Sequence, residues 1–199
     1  MTQIDEVLTF WFGSDVSSPQ KQAAVAQRWF AYNAAFDDEV RAKFGALVEC
    51  AIDGELGPEW SATPDAQLAQ ILLLDQFTRN IHRGSARAFA GDSRAQALTL
   101  DAVARGDDQA LAPLRRVFMY MPLEHAEDLA LQERCVALFE ALAAQVPAES
   151  REPFDGYVGY ARRHRDVIAR YGRFPHRNVA LGRAISADEQ AYLNAGGGF

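Results

Sequence analysis

The sequence predicts an all-α protein, a single domain of about eight to ten short antiparallel helices. Three observations predict this fold class. Apolar residues recur at helical spacing along most of the 199-residue chain. Helix start and stop residues return at short intervals. Strand-like alternation of apolar and polar residues is almost absent. We place the domain over residues 1–195, followed by a flexible glycine-rich tail over residues 196–199.

The first half of the chain contains five predicted helices, each marked by a start residue, a stop residue or both. A capping side chain or a proline favours a helix start, and a glycine favours a helix end. The predicted helices are residues 4–12 ended by Gly13, a second begun by Ser18 and Pro19 that runs through Trp29 and Phe30, a third capped by Asp37 and ended by Gly54, a fourth from Thr63 to about Ile81, and a fifth from Asp92 or Ser93 to Gly106.

Prolines divide the second half of the chain, because a proline inside a helix removes a backbone hydrogen bond. The predicted elements are a helical stretch over 107–121 interrupted by Pro113, a long helix from about Leu123 to Ala144 that starts after Pro122, a helix from Phe154 to Tyr171 ended by Gly172, a short helix that ends at Gly182, and a last short helix begun by a capping box at Ser186 and Glu189.

Composition and charge exclude several classes of protein. The hydrophobic fraction of 49% and the charged fraction of 24% are those of an ordinary globular domain. A net charge of -7 and a pI near 5.1 argue against a nucleic-acid or anionic-membrane partner. The N-terminal residues lack the features of a signal peptide, and no apolar run is long enough to span a bilayer. We therefore expect a cytoplasmic protein, a monomer or a homodimer, with no nucleic-acid or membrane partner.

The first motif, residues 72–84 with the sequence LLLDQFTRNIHRG, places charged residues in a helix that is apolar on nearly every face. Asp75 and Arg79 are four residues apart, acid before base, which favours an intrahelical ion pair. One interpretation is structural, an ion pair with Asn80 capping the helix end. The other is that Arg79, Asn80, His82 and Arg83 form one wall of an anion site, because charges in apolar surroundings need further partners.

The second motif, residues 121–128 with the sequence MPLEHAED, is predicted to open a helix. Glu124, Glu127 and Asp128 would then lie in the first turn, where acids complement the positive end of the helix dipole. His125 is a candidate general base, since a nearby carboxylate such as Glu124 could orient its ring. The sequence has neither HExxH nor paired ExxH spacing, so it predicts no metal site and no cofactor.

The third motif, residues 171–178 with the sequence YGRFPHRN, and the residues after it crowd hydrogen-bond donors around a proline. These residues are Arg173, His176, Arg177, Asn178 and Arg183. They could hold a carboxylate or a phosphate. They could equally clamp the end of the chain onto the acidic turn of the second motif. His164 precedes this motif on the apolar side of its helix, where a histidine is more often a satisfied core residue than a ligand-binding one.

The three motifs, with VLTFWFG, RWF and FD near the N-terminus, resemble a bacterial family catalogued as domain of unknown function 924. The resemblance covers nearly the whole chain and implies an all-helical, tetratricopeptide-like fold with no established activity. The motif residues match except that Thr78 stands where a proline is common, His82 where an aromatic residue is common and Ala126 where a serine is usual. His82 is therefore left out of the candidate site.

Three functional hypotheses follow from these residues. The first is a helical binding module that holds a small anion or a peptide carboxylate through an arginine and histidine cluster. The second is a hydrolase or transferase that uses His125 or His176 as a general base. The third is an interaction protein whose motifs form only an internal polar network. The ligand-binding candidates are Asp75, Arg79, Asn80, Arg83, Glu127, His164, Arg173, Arg177, Asn178 and Arg183, and the catalytic candidates are His125, His176 and Glu124.

Overall fold

The structure is a computed structural model that describes residues 1–13, 28–29 and 32–199. Every regular element in these ranges is a helix or a helical turn, which confirms the predicted all-α class. The chain divides into two compact units: unit 1 comprises Met1–Arg83 and Arg87–Leu111, and unit 2 comprises Gly84–Ala86 and Ala112–Phe199. The single domain, the flexible tail and the tetratricopeptide-like arrangement stay predictions.

Unit 1 contains α1 (Gln3–Phe12), α2 (Ala34–Asp53), α3 (Pro64–Ile71), a π-helical segment (Leu72–Phe77), α4 (Thr78–Ile81) and α5 (Asp92–Arg105). The predicted ends of α1 at Gly13, of α2 at Gly54 and of α5 at Gly106 are confirmed. The predicted start at Ser18 and Pro19 lies outside the described residues.

The start of α2 corrects a sequence prediction. Asn33, not Asp37, caps this helix, and its side chain accepts a hydrogen bond from the backbone N–H of Phe36 at 3.1 Å. Asp37 lies one turn inside the helix and is buried. Its carboxylate is bound by side chains from the end of α4 and the residues just after it, so it is unavailable to the backbone of its own helix.

The helix α3, the π-helical segment and α4 run without a break from the cap at Thr63 to Ile81, as predicted for the fourth helix. The π-helical turn itself was not predicted. Phe77 at its end is fully buried, with its ring centroid 6.0 Å from that of Phe10, 5.4 Å from Trp11 and 5.0 Å from Phe44. This aromatic cluster anchors the helix in the core of unit 1, because aromatic rings bury large apolar areas in favourable mutual contact.

Unit 2 contains α6 (Pro113–Glu124), α7 (Leu129–Gln145), α8 (Glu152–Tyr171) and α9 (Ala187–Asn194). The helix α7 packs against both α6 and α8. Tyr120 of α6 and Phe139 of α7 are fully buried and meet edge to face, with ring centroids 5.9 Å apart. A second apolar cluster of Val167, Ile168 and Phe174 lies at the C-terminal end of α8.

The boundary between α6 and α7 differs from the prediction. Pro122 lies inside α6, which continues to Glu124, and α7 begins only at Leu129, capped by the Asp128 carboxylate. A proline so near a helix end removes a single hydrogen bond, and the next turn closes normally through the bond from the His125 N–H to the Met121 carbonyl at 3.0 Å. The second motif therefore comprises the last residues of α6 and the turn that leads to α7, rather than the first turn of a single helix.

The chain after α8 also differs in one respect from the prediction. Instead of a short helix ending at Gly182, a single 3₁₀ turn (Pro175–Arg177) leads into irregular turns. The last helix, α9, begins at the predicted capping box: the Ser186 hydroxyl accepts from the Glu189 N–H, and the Glu189 carboxylate accepts from the Ser186 N–H. Glu189 is buried, and this places its carboxylate next to the third motif.

Candidate functional site

In unit 1, the charged residues of the first motif are bound to one another and to α5. Asp75 is fully buried, and its carboxylate lies 3.1 Å from the Arg79 guanidinium, which confirms the predicted i,i+4 ion pair. Arg79 also donates two hydrogen bonds to the Asp92 carboxylate, at 3.0 and 3.1 Å. One guanidinium thus bridges two carboxylates, an arrangement that a fork of five N–H donors allows.

Asn80 and Arg83 both bind Asp37 of α2. Asn80 donates to one carboxylate oxygen at 2.7 Å, and Arg83 donates to both oxygens at 2.9 and 3.1 Å. The side chain of Asn80 therefore does not cap its own helix. In this respect the structural interpretation of the first motif was wrong. Burial raises the pKa of Asp37, but the bonds from Arg83 and Asn80 outweigh it and hold that pKa below its usual value. His82 lies at hydrogen-bond distance, 3.0 Å, from Glu49.

In unit 2, Glu127 joins the second motif to the third. Its carboxylate accepts the backbone N–H of Phe174 at 2.8 Å and a bidentate pair of bonds from Arg183 at 2.6 and 2.9 Å. Arg183 also donates to Asn178 at 2.9 Å. Burial raises the pKa of Glu127, but the bonds from Arg183 and Phe174 more than offset it, so the carboxyl group stays ionised to lower pH than usual.

Arg173 is bound at the other side of the third motif. It donates to both oxygens of the buried Glu189, at 2.7 and 2.9 Å, and to the Ala184 carbonyl at 2.9 Å. Asn178, also buried, donates to the same carboxylate at 3.2 Å. The hydrogen bonds from Arg173 and from the Ser186 backbone lower the pKa of Glu189 strongly. Arg183 therefore has the geometry of the clamp interpretation, whereas Arg173 binds Glu189 of α9 rather than the acidic turn of the second motif.

A second group in unit 2 gathers three of the four histidines of the protein. We call it the histidine cluster, and it consists of Glu124, His125, His164, Phe174, His176, Arg177 and Phe199. The ring of His164 lies at its centre, with ring centroids 6.2 Å from His125, 5.6 Å from Phe174 and 3.5 Å from Phe199. The ring of His176 lies 5.6 Å from Phe174. These residues come from the end of α6 and the residue after it, the middle of α8, the third motif and the segment after α9.

His164 has a fixed orientation within the cluster. Its Nδ1 lies 3.0 Å from the Tyr160 carbonyl, one turn earlier in α8, and 3.4 Å from the Glu124 carboxylate. Both neighbours are acceptors, so Nδ1 carries the proton of the neutral ring and Nε2 is left as an acceptor. Burial, with the positive charge of His125, lowers the pKa of His164 to about 3, although the hydrogen bond to Tyr160 raises it. The ring is therefore neutral near pH 7.

The acceptor nitrogen of His164 makes no hydrogen bond in the described part of the chain. The residue as a whole is 4% exposed, but Nε2 is not one of the fully buried polar atoms that lack a partner. This nitrogen is therefore an acceptor that a donor from outside the protein can reach.

Arg177 contributes a buried positive charge to the histidine cluster. Its guanidinium carbon lies 4.5 Å from the centroid of the Phe174 ring, a cation–π contact. Its charge is one of the causes that lower the pKa of His164, and it also lowers the pKa of Glu127. Because the positive charge of Arg177 acts on both His164 and Glu127, this end of unit 2 is electrostatically favourable for a negatively charged group.

A cavity of about 520 Å³ adjoins the histidine cluster. Its lining comprises Tyr160, Arg163, Asp166, Val167, Tyr192 and residues 196–199. Arg163 lies 4.1 Å over the Tyr160 ring, and among the described residues no carboxylate pairs with it. The volume is that of a small-molecule site. The cavity thus joins an arginine with no acidic partner to the ring that stacks on His164.

Comparisons with known proteins agree with this architecture. The sequence model of a family described as "Bacterial protein of unknown function (DUF924)" matches residues 7–197. The chain belongs to the DUF924 family. A solved structure of a protein of unknown function from Agrobacterium tumefaciens is similar, with 35% sequence identity, a TM-score of 0.80, and coverage of 96% of this chain and 97% of that one. A search of curated proteins gives no match.

Within this DUF924 protein, the sequence-predicted residues fall into separate groups. Unit 1 holds the first group, Asp75, Arg79, Asn80 and Arg83. Unit 2 holds the other nine, of which Glu127, Arg173, Asn178 and Arg183 bind one another or Glu189, whereas Glu124, His125, His164, His176 and Arg177 form the histidine cluster. The second and third motifs therefore come together, as predicted. The sequence also led us to expect that all three motifs converge in space, and a meeting of the first motif with the other two stays a prediction.

The candidate residues chosen from the sequence did not include Arg163 or Phe199. Arg163 is an exposed residue of α8, and Phe199 lies in the segment that the sequence predicted to be a flexible tail. The spacing of Tyr160, Arg163, His164 and Val167 is the signal that could have placed Arg163 beside the cluster, since residues three and four apart share one helix face. No local pattern marks Phe199, because its contacts are made across the fold.

Three further findings concern metal binding, membrane insertion and cysteine reactivity in the DUF924 chain. Among the described residues, no three His, Cys, Asp or Glu side chains lie where they could hold a metal ion. None of the helices in the described ranges has the length and apolarity needed to cross a bilayer. Of the two cysteines, both free, Cys135 is buried, and burial raises the pKa of its thiol well above the usual value, which makes it a poor nucleophile.

Proposed function

We propose that this DUF924 protein is a binding module for a small organic anion, held by the histidine cluster and the adjoining cavity of unit 2. One observation carries the proposal: Phe199, which stacks on the buried His164 ring, lines a cavity together with Arg163, and among the described residues no carboxylate pairs with Arg163 and no donor binds His164 Nε2. A ligand with a carboxylate for Arg163 and an N–H or O–H group for His164 Nε2 would satisfy both.

The distribution of ion pairs supports Arg163 over the arginines first suggested by the sequence. Arg79, Arg83, Arg173 and Arg183 each bind a buried or half-buried carboxylate. Turning any of them toward a ligand would leave that carboxylate without its cation, which costs about 3 to 5 kcal/mol for a buried pair. Arg163 can bind an anion without this penalty, since its guanidinium lies only over a tyrosine ring.

The state of His164 favours binding over catalysis. A general base works best when its pKa is near the working pH, and a histidine with a pKa of about 3 accepts protons poorly at neutrality. The Glu124 carboxylate lies 3.4 Å from His164 Nδ1, a contact that orients the His164 ring. A hydrolase or transferase using His125 or His176 remains the alternative. A broad hydrolase screen in which His125→Ala and His176→Ala both abolish an activity would favour it.

The binding proposal is tested with Arg163→Gln and the matched control Arg162→Gln. The control removes a neighbouring exposed arginine that binds Glu140 at 2.6 Å instead of lining the cavity. Isothermal titration and NMR shift mapping would use acetate, benzoate, N-acetylphenylalanine and phosphate. We expect at least one carboxylate to bind, with Arg163→Gln weakening it roughly threefold to tenfold and Arg162→Gln leaving it unchanged.

Two results would overturn the proposal. The first is that none of the four anions binds the wild-type protein, which would favour an internal polar network with no ligand. The second is that binding occurs but shifts no resonance of His164 or of the residues that line the cavity. Circular dichroism of each variant establishes that it is folded before its affinity is interpreted.

A further inference from the structure

The ring of Phe199 covers one face of His164. The two ring planes are inclined by 17° and their centroids are 3.5 Å apart, which is a stacked contact. The same ring meets Phe174 edge to face at 5.9 Å and His176 at 6.0 Å. Although these contacts surround it on several sides, Phe199 remains 46% exposed. The face of His164 that Phe199 covers is therefore a site for an aromatic ring, which we call the aromatic slot. Because Phe199 is about half exposed, it would lose little buried surface area on leaving this slot.

The chain that leads to Phe199 is held against the end of α9, where the Gly196 N–H donates to the Leu193 carbonyl at 3.0 Å. The Gly197 N–H donates to the Tyr192 carbonyl at 3.0 Å, and the Gly198 N–H donates to the Tyr192 hydroxyl at 3.1 Å. A Cβ on Gly197 would lie 2.5 Å from the Tyr192 ring, so the close approach requires glycine. Three successive glycines without side chains also give the backbone many conformations in which the ring is out of the slot.

We propose that Phe199 occupies the place of the ligand's own ring, and that the ligand is an N-acylated aromatic amino acid. The inference rests on the proposed function and names its ligand class. Such a molecule offers what this end of unit 2 can bind: a planar ring for the slot over His164, an amide N–H for the unused Nε2 acceptor, and a carboxylate for Arg163. Phe199 is itself an acylated aromatic residue, and it already supplies the ring.

The size and charge of the surroundings agree with this class. The cavity of about 520 Å³ shares Phe199 with the slot, so a ligand whose ring replaces Phe199 can place its polar groups in the cavity. Arg163 lines the cavity, and Arg177 adds a second positive charge beside the slot. A ring, an amide N–H and a carboxylate occur together both in a free N-acylated amino acid and in the last residue of a peptide. Two probes, one of each kind, distinguish these sources.

The experiment compares the wild-type protein with Phe199→Ala and Phe199→Leu. The probes are N-acetylphenylalanine and the tetrapeptide Gly-Gly-Gly-Phe, with N-acetylleucine as the control without a ring and N-acetylphenylalanine amide as the control without a carboxylate. We expect Phe199→Ala to bind the first two probes roughly threefold to tenfold more tightly than wild type, since the competing stack is gone. Phe199→Leu, which removes the stack but keeps an apolar side chain, should give a smaller gain.

N-acetylleucine, which has no ring, should show no such gain, whereas N-acetylphenylalanine amide should gain in the same way but bind more weakly than the free acid to every variant. Stronger binding of the free acid than of the tetrapeptide identifies a small-molecule ligand, and the reverse identifies a peptide end. In proton NMR, the His164 ring resonances should move downfield in Phe199→Ala, because the ring current of the stacked phenyl group is lost. That shift also shows that the variant is folded around an intact His164.

Equal affinity of wild type and Phe199→Ala for N-acetylphenylalanine would overturn the inference, as would an equal gain for N-acetylleucine. Neither result would affect the proposed function if carboxylate binding still depended on Arg163. Failure of every anion to bind any variant would instead overturn the proposed function, so the two failures are distinguishable.

Discussion

Replacing His164 with glutamine should change how the stability of the protein depends on pH. The buried ring has a pKa of about 3 in the folded state, against 6.5 for an ordinary histidine. The groups that face it are Tyr160 through its carbonyl, Glu124, His125, His176 and Arg177. Between pH 6.5 and 3 the unfolded chain binds a proton at this residue that the folded protein does not. The contribution of His164 is therefore complete above pH 6.5 and is lost as the pH falls through this range.

The size of the effect follows from the same two pKa values. In this range, each unit of pH changes the free energy of unfolding by about 1.4 kcal/mol for each proton that the unfolded chain binds and the folded protein does not. Between pH 6.0 and 4.5 the unfolded histidine is mostly protonated, so His164 alone should lower the free energy of unfolding by about 2 kcal/mol. His164→Gln keeps a donor for the Tyr160 carbonyl but cannot take up a proton in this range, so this part of the slope should disappear.

The assay is urea unfolding of the wild type and His164→Gln at pH 4.5, 5.0, 5.5 and 6.0, followed by circular dichroism. The carboxylates that also titrate are common to both proteins, so the difference between the two slopes isolates His164. His82→Gln is the matched control, a histidine of unit 1 that lies outside the cluster. Proton NMR of the folded wild type gives the His164 pKa directly.

Parallel curves for the wild type and His164→Gln over this range would refute the reasoning. So would an NMR titration in which His164 gains its proton near pH 6.5. Either result would mean that the Glu124 carboxylate stabilises the protonated ring more than burial disfavours it. The argument from the state of His164 that favours binding over catalysis would then fail.

Two further predictions concern stability, measured as the free energy of unfolding in urea. Gly91→Ala should destabilise the protein by about 1 to 3 kcal/mol, because the added Cβ would lie 2.3 Å from the backbone carbonyl oxygen of Leu74. Gly45→Ala, whose Cβ meets nothing closer than 3.9 Å within α2, should instead stabilise it by about 0.5 to 1 kcal/mol, and the same sign for both would contradict the steric argument. Glu127→Gln should cost about 1 to 3 kcal/mol at pH 7 through loss of the half-buried pair with Arg183, and progressively less as the pH falls below 4.5 through the lowered pKa of the folded state. Adding Arg183→Met to Glu127→Gln should cost less than the sum of the two single changes, and exact additivity would show that the pair contributes nothing.

The helices that sequence reasoning placed correctly are those with local signals. Thr63 before Pro64, and Ser186 three residues before Glu189, bind the backbone of their own first turn, so a few neighbouring residues determine the boundary. The cap predicted at Asp37 failed because Arg83, 46 residues later in the chain, binds that carboxylate. A side chain that could cap a helix was used by a distant partner, which spacing along the chain does not reveal.

The candidate site divides in the same way. The pairing of Asp75 with Arg79 follows from helix geometry and was predictable. The pairings of Glu127 with Arg183 and of Arg173 with Glu189 depend on how distant elements of unit 2 fold together, so the sequence could suggest only that these arginines would meet acids. The stack of Phe199 on His164 had no sequence signal, since an aromatic residue after three glycines carries no periodicity.

The π-helical segment Leu72–Phe77 has a consequence for how this part of the chain can vary. A π-helical turn is closed by i→i+5 hydrogen bonds and so holds about one residue more than an α-helical turn. Deleting one residue from it would let the segment close as regular α-helix, with Arg79 still directed at Asp92 and Asn80 at Asp37. Deleting one residue from the α-helical turns of α3 would instead rotate everything after it by about 100°. A one-residue deletion should therefore be accepted within Leu72–Phe77 far more readily than within α3.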